Sequence, residues 1–186
     1  MAVDTTTMFL IEIGRLGDML SDCDLRRLID QRELVISPFN ENLIGCGSID
    51  LSLSDLFVRY TCPIDSRKGG GCPKKMQLTS ITLEPGDFVL GMTAESAKIP
   101  RGYFGFIETR GNFARAGISI SCNDGHIDSG TDGNITLEIH NHNTIPVTIH
   151  AGDIICQLFL VALDSPSTHL YHGKYAFQKE PTEFIP

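Results

Sequence analysis

Two arginines five apart, an aspartate in a glycine-rich turn and a glutamate on an alternating run are the residues whose types could do chemistry together. The segment 109–117, TRGNFARAG, carries Arg110 and Arg115 around a turn at Gly111 and Asn112. Arginine forks bind phosphate oxygens bidentately, and a turn offers backbone N–H groups to the same anion. In the segment 125–133, GHIDSGTDG, glycines bracket Asp128. That is the pattern of a strand end whose carboxylate orients a hydroxyl or a water, or caps the turn. In 134–142, NITLEIHNH, alternation puts Ile135, Leu137 and Ile139 on one face and Thr136, Glu138 and His140 on the other. Taken alone, Glu138 reads as an ordinary exposed carboxylate. Taken jointly, the three segments supply cations for phosphate, an acceptor for a sugar and a carboxylate for proton transfer.

Other chemistries lack their residues. Zinc-dependent nucleobase deaminases need His-x-Glu and Pro-Cys-x-x-Cys to hold the metal and shuttle protons, and the sequence contains neither. Cys62 and Cys72 flank a loop, but two ligands do not make a tetrahedral site. His140 and His142 share a face at strand spacing, where a solvated polar pair is preferred to a metal pair. The segment 67–75, RKGGGCPKK, reads as a flexible, solvated hairpin excursion, because no strand–loop–helix context supports a phosphate grip there.

The elements that must position these residues are mostly strands. Ser21 and Asp24 have capping-box spacing, and Leu25, Leu28 and Ile29 follow at helical spacing, which predicts one short helix over 22–31. Thereafter short alternating or apolar runs such as SIDLSL, LFVRY, DFVLGMT, GYFGFIET and DIICQLFLVAL alternate with Pro-Gly, Gly-rich and Asn/Asp clusters. That pattern predicts a mainly β sandwich or barrel.

At 186 residues and 41% hydrophobic content the chain suffices for one domain with a real core. A net charge of −8 argues against a broad basic surface for polynucleotide, yet leaves room for a small phosphorylated ligand held by a few arginines. The first twenty residues lack a basic n-region, and no run approaches the roughly 20 apolar residues of a membrane span. A chain of this size does not need staples, so its six cysteines are expected as free thiols in a reducing cytosol.

From Met19 to Gln178 the sequence resembles the dCTP deaminase branch of the trimeric dUTPase superfamily, with MLSDCDLRRLID, SPFN and GSIDLSL similar to that family's opening helix and first strands. The resemblance implies a distorted β-barrel or jelly-roll of the dUTPase-like type, with 1–18 an N-terminal extension and 19–186 one domain whose C-terminal tail closes over the nucleotide. It implies triphosphate binding by Arg110, Gly111, Asn112 and Arg115, deoxyribose contact by Asp128, and a base pocket lined by Thr136, Leu137 and Glu138. Glu138 would be the general acid/base, with Arg115 the second catalytic residue. Gln157 in ICQLF, and Tyr171, Lys174 and Gln178 in YHGKYAFQ, match further nucleotide contacts.

The implied reaction is zinc-independent deamination of dCTP to dUTP and ammonia, with Mg²⁺ carried on the triphosphate. The implied setting is a cytoplasmic homotrimer with sites between subunits, using neither membrane nor polynucleotide. The site departs from the family pattern: Gly111 and Asn112 stand where Ser or Thr is usual, Thr131 where an aromatic is usual, and His126 where Arg or Gln is more familiar. These departures keep open dUTP pyrophosphatase activity, alone or coupled to deamination, and a catalytically impaired nucleotide-binding regulator.

Overall fold

The computed structural model describes residues 19–121 and 124–186, so the expected extension 1–18 lies outside the described residues. Helix α1 (Asp22–Asp30) starts on the expected capping box. The Ser21 hydroxyl accepts from the Asp24 N–H and the Asp24 carboxylate accepts from the Ser21 N–H, each at 3.4 Å. Asp22 and Asp24 also favour the positive end of the helix dipole, and Leu25 and Leu28 bury completely against the strands.

The remainder is antiparallel sheet, numbered in chain order. The larger sheet contains β1 (Val35–Ser37), β3 (Leu56–Arg59), β6 (Lys74–Gln77), β8 (Phe88–Lys98), β10 (Ile118–Ser119) and β12 (Asp132–Asn141). Its order is β10-β12-β8-β3-β6, with β1 added to β8. The second sheet runs β11-β9-β14-β2, from β2 (Ile49–Ser52), β9 (Tyr103–Thr109), β11 (His126–Ile127) and β14 (Ile154–Ala162). Two short pairs complete it: β7 (Ser80–Leu83) with β13 (Val147–His150), and β4 (Ile64–Asp65) with β5 (Gly69–Gly70). Inward residues of both sheets, among them Leu51, Ile107, Val89, Leu137, Ile139 and Leu158, form one core cluster. Period-two alternation requires this, since each strand has one apolar face to hide. The mainly β barrel with its short first helix is therefore as expected.

One charged group helps to tie the sheets. Glu95 on β8 is only 5% exposed. Its carboxylate accepts from the Ser52 N–H at 2.8 Å and the Ser52 hydroxyl at 2.9 Å on β2, so the burial is compensated.

The segment 67–75 belongs to a largely exposed hairpin, as expected, in which Gly69–Gly70 pair with Ile64–Asp65 and Lys74 and Lys75 begin β6. Two expectations need correction. Cys62 and Cys72 are not free thiols but a disulfide. The tight hairpin brings their Cα atoms to 5.4 Å, within bridging range, and size and compartment arguments are blind to such local proximity. The Gly111–Asn112 turn is a short helix, α2 (Gly111–Arg115), left through Gly117 at φ 82°.

Candidate active site

Strand β12 places the candidate base. Its burial alternates as expected, with Ile135, Leu137 and Ile139 inward and Thr136, Glu138 and His140 half-exposed on the other face. It is an interior strand: Glu138 pairs with Leu90 of β8 on one side, and its N–H donates to the Ile120 carbonyl at 2.8 Å on the other. A pleat held from both sides fixes where the Glu138 side chain leaves the backbone.

Thr136 and Glu138 of that face, though not His140, line a cavity of about 410 Å³, within the usual range for small-molecule sites. Asp128, Thr136, Leu137, Glu138, Tyr171 and Gln178 all line it. Asp128 sits in the expected tight turn: its carbonyl accepts from the Thr131 N–H at 3.1 Å, and Gly130 has φ 86°.

The tail folds across this cavity. The Tyr171 N–H donates to the Ser129 carbonyl and the Asn134 N–H to the Gln178 carbonyl, both at 2.9 Å. The Thr136 hydroxyl donates to the Gln178 side-chain carbonyl, so the tail meets the strand that bears Glu138. Gly133 makes this approach possible. Its φ of 146° suits glycine, and a Cβ there would lie 2.8 Å from the Gln178 nitrogen and 2.9 Å from its carbonyl oxygen. Gly133→Ala is expected to unseat the tail at a cost of about 1–3 kcal/mol, seen as faster tryptic cleavage at Lys174 and Lys179. Unchanged cleavage would show that this approach does not hold the tail.

The other expected site residues lie apart from the cavity. The Arg110 guanidinium pairs with Asp50 at 3.2 Å. The Gln157 amide donates to the same carboxylate at 3.0 Å and to the Ser48 hydroxyl at 3.2 Å. Gly111, Asn112 and Arg115 are exposed on α2, where the Arg115 guanidinium donates to the Gly111 carbonyl at 3.2 Å. Lys174 donates to the carbonyls of Ile185 at 3.2 Å and Pro186 at 2.5 Å.

Sequence reasoning missed Tyr60, Asp124, Tyr175 and Phe184, which also line the cavity. The Asp124 carboxylate pairs with His126 at 2.5 Å, and the His126 ring stacks 5.8 Å from Phe104. Burial raises the Tyr60 phenol above its usual range, assisted by the nearby Glu183, Tyr175 and Glu138 and opposed by its bond to the Phe184 N–H. Among the described residues the lining holds Asp124, Asp128, Glu138 and His126 but neither lysine nor arginine. That charge balance disfavours a polyanion inside the cavity. Among the described residues no cluster of three or more His, Cys, Asp or Glu could hold a metal ion, and no helix is long and apolar enough to cross a membrane.

A distorted barrel with an acid-bearing interior strand under a folded tail defines the class as a dUTPase-like β protein with a cavity of small-molecule size. The chain belongs to the dCTP deaminase-like family, whose model matches residues 19–163. It is 35% identical over 164 residues to the dUMP-forming dCTP deaminase of Aquifex aeolicus (strain VF5), covering 87% of this chain and 91% of the relative. It is 37% identical over 183 residues to the protein of the same name from Mycobacterium sp. (strain KMS), covering 88% and 93%. The fold is shared with the crystal structure of 2'-deoxycytidine 5'-triphosphate deaminase from Agrobacterium tumefaciens. There the TM-score is 0.63 at 17% identity, over 80% of this chain and 49% of that one.

Proposed function

We propose that the chain is an enzyme of the dCTP deaminase type, hydrolysing the C4 amino group of the cytosine in dCTP. The observation that carries this reading is Glu138 on an interior strand, facing a nucleoside-sized cavity beside Thr136 and Asp128, in a member of this family. Glu138 takes a proton from water and the resulting hydroxide adds to C4. Glu138 then returns protons to the ring and to the departing nitrogen, so that dCTP and water give dUTP and ammonia. Asp128 accepts from the deoxyribose, while Thr136, Leu137 and Gln178 border the base and Tyr171 lies over it. The relatives are named dUMP-forming, which supports an extension: dUTP then loses pyrophosphate, with Asp128 activating the water that attacks the α-phosphate. Mg²⁺ enters as part of the substrate, since hard phosphate oxygens suit it and the protein needs to supply no ligand cluster.

The triphosphate needs cations, and the described residues of a single chain bring no lysine or arginine to the cavity. In this reading, Arg110, Gly111, Asn112 and Arg115, steadied by Asp50 and Gln157, face the phosphates of a neighbouring subunit's cavity in a cytoplasmic homotrimer. Lys174 adds a cation from the tail. Arg115→Ala is expected to weaken dCTP by roughly 1.5–3 kcal/mol, the value of a charge-assisted contact, and to leave deoxycytidine nearly unaffected. Titration calorimetry with both ligands checks this, and an equal loss for both would make the arginine structural.

Incubation with dCTP and Mg²⁺, resolving ammonia, dUTP, dUMP and pyrophosphate, tests the function. Ammonia with dUMP and pyrophosphate is expected. Ammonia with accumulating dUTP would leave deamination alone, and binding of dCTP without ammonia release would overturn the enzymatic reading.

A further inference from the structure

Tyr60 lines the cavity yet belongs to none of the three segments with evident chemistry. Its hydroxyl oxygen accepts from the Phe184 N–H at 2.7 Å, a contact spanning 124 residues of sequence. On its other side the ring lies against Gly71: a Cβ there would fall 2.5 Å from Cδ1 and 2.9 Å from Cε1, and Gly71 has φ 83°. Only a residue without a side chain lets the hairpin backbone pack this closely on the ring.

Backbone and side-chain hydrogen bonds close that hairpin. The Gly71 carbonyl accepts from the Thr61 N–H at 2.8 Å and the Cys62 N–H at 3.2 Å, and the Gly71 N–H donates to the Pro63 carbonyl at 3.0 Å. The Thr61 hydroxyl donates to the Cys72 carbonyl at 2.9 Å. The Cys62–Cys72 disulfide joins the two arms. Its turn also touches the tail, since a Cβ on Gly69 would lie 3.5 Å from Cγ of Pro186. The exposed Lys75–Glu180 pair at 2.8 Å spans the same junction and adds little by itself.

We propose that Tyr60 is a positioning residue that latches the tail over the cavity through Phe184, its ring held in place by the disulfide-closed hairpin 61–73. The role of the latch in substrate affinity rests on the reading of the cavity as a dCTP site; the latch itself does not. Its effect falls on ligand retention, because it touches the cover and not the reacting atoms. Reduction is the means by which it opens. A dithiol passes two electrons and two protons to the S–S bond, leaving the Cys62 and Cys72 thiols and closing itself to a cyclic disulfide.

Hydrogen exchange of the peptide 180–186, read by mass spectrometry alongside dCTP kinetics, tests the proposal. Tyr60→Phe keeps the ring against Gly71 and loses only the acceptor, so exchange at the Phe184 amide should accelerate about three- to tenfold. KM for dCTP should rise by a larger factor than kcat falls. The double variant Cys62→Ser/Cys72→Ser should shift both readouts in the same direction. Dithiothreitol should shift them in the natural sequence and not in the double variant.

Unchanged exchange in Tyr60→Phe would overturn the latch. A raised KM with unchanged exchange would do so too, making Tyr60 a direct ligand contact. Exchange unmoved by dithiothreitol would remove the hairpin from the device. Accelerated exchange in a protein that releases no ammonia from dCTP would leave the latch standing and reject the deaminase reading instead.

Discussion

Glu138→Gln is expected to abolish ammonia release from dCTP, with a fall of at least about 10³ in kcat, within the span that a positioned acid/base contributes. Glutamine keeps the shape and hydrogen-bonding reach of the side chain while losing the proton acceptor. Strand β12 should not move, because its backbone is held by β8 and by the Ile120 carbonyl, neither of which involves the side chain. Binding of dCTP should therefore remain nearly intact. Single-turnover ammonia release and calorimetric binding on the same preparation separate the two effects. Turnover within tenfold of the natural sequence would remove Glu138 as the proton shuttle, and a parallel loss of binding would make it a ligand contact.

Mixing two inactive variants is expected to restore activity. If the cavity of one subunit receives the arginines of its neighbour, Glu138→Gln spoils the first half of a site and Arg115→Ala the second. In trimers refolded from an equal mixture, a site is whole when its cavity subunit carries Glu138 and its neighbour carries Arg115. Each condition holds half the time, so about one site in four recovers for a cyclic arrangement. Assayed at dCTP well below KM, each variant alone should give no more than about a tenth of the natural rate, and the mixture about a quarter. A mixture no more active than the mean of its components would place cavity and arginines in one subunit. The cavity lining motivates the test: among the described residues it gathers three carboxylates and a histidine but no lysine or arginine, whereas Arg115 is exposed on α2.

What the sequence determined by itself was local. The Ser21–Asp24 box, the helix it starts and the alternation that turns Glu138 to the polar face of β12 depend on residues a few positions apart, and each appears as expected. The tight turn around Asp128 was legible for the same reason. Period and capping are written into neighbouring side chains, so no tertiary information is needed to read them. The family resemblance likewise anticipated the barrel and named Tyr171 and Gln178, which the tail brings to the cavity.

The tertiary structure decided what depends on long-range pairing. Tyr60 meets Phe184 across 124 residues, and neither carries a sequence pattern that marks it as part of a site. The pairing of Ile64–Asp65 with Gly69–Gly70 set the register of the exposed hairpin, and in doing so joined Cys62 to Cys72, which had been expected as free thiols. The separation of the cavity from Arg110, Arg115 and Gln157 could not be read from motifs that are adjacent in sequence. Between TRGNFARAG and NITLEIHNH the chain changes sheet: β11 pairs with β9, while β10 and β12 pair with each other in the larger sheet. Sequence proximity fixes which residues share a strand, but only the pairing of strands fixes which strands share a cavity.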